Sequence, residues 1–195
     1  MAAAFDFGSA ETRFIFDESH FQQDFFQLLS LSARFQMDSA LLDQHYRALQ
    51  AQVHPDKFAH LSDAEKRLSM QWATLVNEAY QTLRSPLSRG RYLLKLRGVD
   101  TQEETNTAMP VDFLMEQMEW REAVEEAARQ SDVDALDALE RRLQSDTRSL
   151  QQQLALQLDD ENHYNLAAAA GTVRKLRFLE KLAEEIASAF DEIDT

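Results

Sequence analysis

The residues best suited to chemistry lie in one stretch, Gln52–His60, where His54, Pro55 and Asp56 follow one another and Lys57 and His60 come soon after. A histidine two residues from a carboxylate raises a general acid–base reading. That role needs a nucleophile, a pocket and a third group to orient the ring, and none is visible in the sequence. A metal reading draws on His45, His54 and His60. Their spacing argues against it, because no H-x-x-x-H pair and no bracketing set of carboxylates appears. His20 and His163 read as ordinary cap or surface residues. The stretch is better suited to contact. Pro55 stiffens the turn so that less entropy is lost on docking, Asp56 offers a carboxylate that an arginine can grip with two hydrogen bonds, and His54 presents a planar, partly polar edge.

Two helices position that turn. In "MDSALLDQHYRALQAQV", Leu42, Tyr46, Leu49 and Val53 share one face, with Asp38 as a candidate N-cap. This helix stops at His54, because the residue before a proline leaves helical geometry and Pro55 has no N–H to bond back. The next starts at Ser62 with Glu65 three residues on, a capping-box spacing, and carries Leu68, Trp72, Leu75, Ala79 and Leu83 as its apolar stripe to Pro86. "HFQQDFFQLLSL" precedes the pair as a short apolar helix, and "LSRGRYLLKLR" follows as a short basic one ending at Gly98.

Composition agrees with an all-helical chain. Its 195 residues include only 4 Gly and 3 Pro, with abundant Ala, Leu, Gln and Glu. No cysteine is present, which excludes disulfides, thiolate nucleophiles and zinc–thiolate sites. No targeting segment and no long apolar run is found, so a cytoplasmic protein with no membrane partner is expected. The net charge of −14 is unevenly spread: −3 over Met1–His20, +2 over Phe21–Asp100 and −13 over Thr101–Thr195. The two larger regions are expected to meet different partners, and the acidic one disfavours nucleic acid. Residues 1–19 read as a flexible leader, and the polar stretch "VDTQEETNTAMP" as a linker over 99–110.

Beyond the linker three helices are expected, Val111 to about Arg129, about Asp132 to Leu158, and about His163 to Glu192, joined by short connections that favour an antiparallel bundle. The first shows two apolar faces. Phe113, Trp120, Val124 and Ala127 form a core stripe, while Leu114, Met115 and Met118 fall on the far side among Glu119, Glu122 and Glu126. Burying both would bury carboxylates at a cost of about several kcal/mol each if unpaired. The Met/Leu/Glu face is therefore expected in solvent, as an adaptable partner site. Phe178 lies roughly a third of a turn off the stripe Leu176/Leu179/Ala183/Ile186 of the last helix.

Two helices joined by a His-Pro-Asp loop, with "VNEAYQTLRSP" after them, resemble the J-domain of the DnaJ co-chaperones. Further along, "HPDKF", "LRSPLSRGRYLLKLRGVD", "FLMEQMEWREAVEE" and "TVRKLRFLEKL" are similar to the HscB family, J-type co-chaperones of iron–sulfur cluster assembly, over roughly His20 to the carboxyl terminus. The resemblance implies an all-α, L-shaped, two-domain adaptor, with a J-domain over 20–98 and a scaffold-binding three-helix bundle over 111–195. It implies a DnaK-class ATPase, HscA, as partner of His54, Pro55, Asp56, Lys57 and Arg47, and the scaffold protein IscU as partner of Leu114, Met115, Met118, Glu119, Glu122, Glu126 and Phe178. It implies no cofactor, no resident metal and no enzymatic activity of the chain itself. The cysteine pairs of the mitochondrial relatives are absent, the leader has no counterpart in the compact bacterial form, and Leu29-Ser30-Leu31-Ser32 stands where the family usually has Gly-Leu-Pro. Arg47 is the one cation on the outer face of its helix, so weaker electrostatic steering than in a Lys/Arg-rich J-domain is expected. The rival readings are a general J-protein with another client, and a metal-dependent enzyme or carrier using the histidines.

Overall fold

The computed structural model describes residues 23–54, 56, 62–101, 110–160 and 164–193. The expected leader, most of the expected linker, and Pro55, Lys57 and His60 lie outside them. The described residues form seven helices: α1 Phe25–Leu28, α2 Ser39–Val53, α3 Asp63–Arg84, α4 Pro86–Leu96, α5 Val111–Arg129, α6 Val133–Asp159 and α7 Leu166–Ile193. The all-α class stands as expected.

The helix ends follow from local chemistry. Asp24 caps α1 reciprocally: its side chain accepts the Gln27 N–H at 2.9 Å, and the Gln27 side chain accepts the Asp24 N–H at 3.3 Å. Ser62 and Glu65 make the capping box expected at the start of α3, with Ser62 N–H donating to Glu65 Oε2 at 3.0 Å. Ser85 caps α4 and Pro86 is its first residue, where the missing N–H costs nothing. Three helices end alike. In each the chain turns through a left-handed residue, Ser30 (φ 52°), Gly98 (φ 74°) or Ser131 (φ 52°), and the following N–H reaches back to an orphan carbonyl: Leu31 to Phe26 (2.8 Å), Val99 to Leu94 (2.9 Å) and Asp132 to Ala127 (2.9 Å). The exit from α1, where the chain departs from the family pattern, is thus made by a serine in a conformation that favours glycine.

The chain divides into two compact units. Residues up to Ser32 together with Ser39–Gln81 form one; Ala33–Asp38 with Thr82 onward form the other. In the first unit α2 and α3 lie side by side. Val53, Trp72 and Val76 make a buried cluster, and Leu28, Tyr46, Leu49 and Leu68 pack against it. The ring of Tyr46 stacks on Tyr80 with centroids 4.0 Å apart. Its hydroxyl donates to Asn77 at 2.8 Å, and the Tyr80 hydroxyl donates to Asp43 at 2.8 Å. The α3 stripe differs from the expected one. Its buried positions are Ser69, Trp72, Val76, Ala79, Tyr80 and Leu83, while Leu68 and Leu75 are only half-buried.

The second unit contains the expected three helices and α4. One buried cluster joins Phe113, Trp120 and Val124 of α5 to Leu136 and Leu143 of α6 and to Phe178, Leu179, Leu182 and Ile186 of α7. Leu87, Leu93 and Leu94 of α4 are also buried. A Cβ on Gly90 would stand 2.8 Å from Leu154 Cδ2 and 3.4 Å from Phe35 Cε2, so α4 meets α6 through a bare hydrogen. The compact division therefore falls before α4, whereas the functional division expected from the sequence falls after it. The reason is that α4 carries Leu87, Leu93 and Leu94 as a core face for α6 and α7.

Candidate partner-binding surfaces

The turn after α2 is built by termination. Val53 closes the helix and is buried, and the chain then emerges at His54, whose side chain is 53% exposed, and at Asp56, whose side chain is 91% exposed. The Asp56 N–H donates to His54 Nδ1 at 3.3 Å, which places the proton of the neutral ring on Nε2. The same Nδ1 lies 3.6 Å from the Asp56 carboxylate. Both side chains point at solvent. Pro55 and Lys57 lie outside the described residues.

Upstream on α2, Arg47 is exposed, as are Gln44 and Ala51 beside it, while Gln50 turns inward and donates to the Tyr46 hydroxyl at 2.9 Å. His45, one of the candidate ligands, has its Nδ1 2.7 Å from the Leu29 carbonyl and so links α2 to the end of α1. Among the described residues no group of three His, Cys, Asp or Glu side chains is gathered as a metal site, and no helix is long and apolar enough to cross a membrane.

The second surface lies on α5. Phe113, Trp120, Val124 and Ala127 are all buried, at 6%, 1%, 5% and 4% exposure. On the other side Leu114, Met115 and Met118 are 40%, 56% and 72% exposed. Glu119 and Glu122 are exposed beside them. Glu126 is half-buried and pairs with Arg129 at 2.6 Å, so it sits at the edge of the face and not in its middle. The helix is two-faced, as its sequence requires.

Phe178 departs from expectation. It is 8% exposed and belongs to the core, meeting Phe113 edge to face with centroids 5.6 Å apart, and the Arg121 guanidinium lies 6.0 Å above its ring. It therefore does not share the exposed face of Leu114, Met115 and Met118; it supports α5 from beneath. The physical reason is that α7 packs against α4, α5 and α6, so its covered arc is wider than one stripe, and a position a third of a turn away is still enclosed.

Sequence reasoning missed two features. Ser69 is 3% exposed, and its hydroxyl donates to the Val53 carbonyl at 2.7 Å, just before the turn. The signal was available: Ser69 stands three residues before Trp72, a polar residue on a buried face. Asp159, at the end of α6, accepts N–H bonds from Phe35 and Gln36. Close to it Arg89 is buried, donating to the Leu83 carbonyl at 2.7 Å with its guanidinium 5.0 Å from the Phe35 ring centre. Burial lowers the Arg89 pKa from its ordinary value, and the Asp159 charge pulls it back up.

The chain is similar to known proteins along most of its length. Residues 109–187 match the family model of the HSCB C-terminal oligomerisation domain. A co-chaperone protein HscB homolog of an Azoarcus species is 53% identical over 173 residues, covering 89% of this chain and 97% of the relative. Among solved structures, the chaperone HscB from Vibrio cholerae is 37% identical with a TM-score of 0.77, covering 88% of this chain and 99% of the other. The human co-chaperone protein HscB is 34% identical with a TM-score of 0.79, covering 85% and 81%. The helical hairpin with its His-Pro-Asp turn and the helical unit that follows define a J-type co-chaperone. Within that class, the chain belongs to the HscB family.

Proposed function

We propose that this co-chaperone couples a DnaK-class ATPase of the HscA kind to the iron–sulfur scaffold protein IscU, stimulating hydrolysis by the first while presenting the second. The observation that carries this reading is the division of α5 into a buried stripe, Phe113/Trp120/Val124/Ala127, and an exposed one, Leu114/Met115/Met118, edged by Glu119, Glu122 and Glu126. Unbranched, polarisable methionines in solvent adapt to a partner's contours, and the carboxylates around them select against acidic competitors. Phe178 contributes by holding α5 in place.

The chaperone contact is assigned to His54, Pro55, Asp56 and Lys57, with Arg47 on the approach along α2. The exposed His54–Asp56 pair supports it, because it offers one carboxylate and one ring edge at the end of a braced hairpin. Functionally the chain then divides into a J-domain over 20–98, a linker over 99–110 and a scaffold-binding bundle over 111–195, preceded by a leader over 1–19. No bond is made or broken by this chain, no cofactor is required, and the work is done in the cytoplasm. Holding client and motor on one chain raises the effective concentration of each for the other.

The test is ATPase stimulation of an HscA-type chaperone with and without IscU. The wild-type chain is expected to stimulate, and to stimulate more with IscU than without. His54→Gln is expected to abolish stimulation while leaving IscU binding intact. Stimulation that survives His54→Gln would refute the role of the turn, and stimulation that is indifferent to IscU would favour a general J-protein with another client.

A further inference from the structure

We infer that Ser69 is a positioning residue for the His-Pro-Asp turn: its buried hydroxyl fixes the direction in which the chain leaves α2. The inference rests on the reading of that turn as the chaperone contact.

A helix leaves its last carbonyls without partners inside the helix. At the end of α2 the Val53 carbonyl is one of these, and Val53 is 1% exposed, away from water. From the facing turn of α3, Ser69 Oγ donates to Val53 O at 2.7 Å. Ser69 is itself 3% exposed, on the same face of α3 as Trp72 and Val76, where a hydroxyl is tolerated only when bonded. Each group therefore answers the other.

The geometric consequence follows from the planarity of the peptide unit. The Val53 carbonyl, the His54 nitrogen and the His54 Cα lie in one plane, so a bond that holds the carbonyl oxygen also sets where His54 begins. His54 then carries the turn onward through its Nδ1 contact with the Asp56 N–H. Val53, packed against Trp72 and Val76, fixes the position of the helix end; Ser69 fixes its orientation.

Hydroxyl bonds elsewhere in the hairpin provide the control. Tyr80 donates to Asp43 at 2.8 Å across the same two helices, near the start of α2 and far along the chain from the turn. If Ser69 merely stabilised the hairpin, Tyr80→Phe would have the same functional effect as Ser69→Ala.

Full-length wild type, Ser69→Ala, Ser69→Thr and Tyr80→Phe are compared at a temperature where circular dichroism shows each fully helical. Two quantities are read: the concentration giving half-maximal ATPase stimulation, and the exchange rate of the Asp56 amide by NMR. Ser69→Ala is expected to raise the half-maximal concentration about tenfold and to speed Asp56 exchange. Ser69→Thr, which keeps the hydroxyl, restores both, and Tyr80→Phe leaves both at wild-type values. Wild-type values of both readouts in Ser69→Ala overturn the inference, as does equal damage from Tyr80→Phe. A wild-type chain that stimulates nothing overturns the chaperone reading alone, and the Asp56 exchange rate then decides the role of Ser69 by itself.

Discussion

The carboxylate of Asp159 accepts the backbone N–H of Phe35 at 2.7 Å and, through its other oxygen, that of Gln36 at 2.8 Å. One side chain at the end of α6 thus satisfies two consecutive amides of a segment more than a hundred residues earlier in the chain. Those amides lie outside any helix and have no ladder to join. Arg89, close by, lends the carboxylate a positive neighbour and closes over the Phe35 ring. The segment Ala33–Asp38 consequently belongs to the second compact unit, although α1 and α2 on either side of it belong to the first.

Asp159→Ala is expected to cost about 2 kcal/mol, since hydrogen bonds to a charged acceptor are worth about 1.5–3 kcal/mol each in a dry site and less where water reaches, as it does at Gln36. The variant also leaves Arg89 buried without its anion, which adds to the loss. Thermal unfolding followed by circular dichroism should show a midpoint lower by roughly 5 °C. Asp159→Asn keeps one acceptor oxygen and should lose about half as much. A midpoint unchanged in Asp159→Ala would mean that the two amides find water equally well.

How much of this was legible in the sequence depends on how local the cause is. The end of α2 and the starts of α3 and α4 were, because Ser62/Glu65, Pro86 and the proline after His54 act within a few residues of themselves. The two faces of α5 were, because a 100° rotation per residue separates Phe113 from Leu114 whatever lies across the bundle. The stripe of α3 was not: period alone admits Leu68 and Leu75 as readily as Ser69 and Val76, and only the facing carbonyl of Val53 decides for the serine. Phe178 was misplaced for a related reason. Its exposure depends on how many neighbours surround α7, which no single-helix argument counts. The Asp159 contact with Phe35 and Gln36 joins residues with no shared pattern, so nothing in either stretch announces it.

The placement of Phe178 separates two kinds of loss on the scaffold face. Met118 is 72% exposed, so Met118→Ser should change stability by no more than about 0.5 kcal/mol. It should weaken scaffold binding at least about tenfold, equivalent to about 1.4 kcal/mol. Phe178→Ala removes a buried ring from the edge of Phe113 and should cost about 3–5 kcal/mol of stability. Calorimetric titration with the scaffold, run beside thermal unfolding of each variant, checks both. A stable Phe178→Ala chain that no longer binds would return Phe178 to the contact surface, and a Met118→Ser chain that binds normally would remove the methionines from it.

The three left-handed helix exits allow a comparison of opposite signs within one motif. Ser131 and Gly98 occupy equivalent positions, each followed by a residue whose N–H reaches back to the helix, but only Gly98 is free of a Cβ penalty at positive φ. Ser131→Gly removes that penalty, of about 1–2 kcal/mol, and pays part of it back by loosening the unfolded chain; the net expectation is a gain of about 0.5 kcal/mol. Gly98→Ala does the reverse. A Cβ there meets no atom within 4 Å, so its cost is conformational alone, about 1 kcal/mol, with no packing contribution to confuse it. Urea unfolding of the two variants should therefore move the midpoint in opposite directions with unchanged slopes. A Ser131→Gly chain less stable than wild type would show that the serine side chain contributes more at this corner than its backbone strain costs.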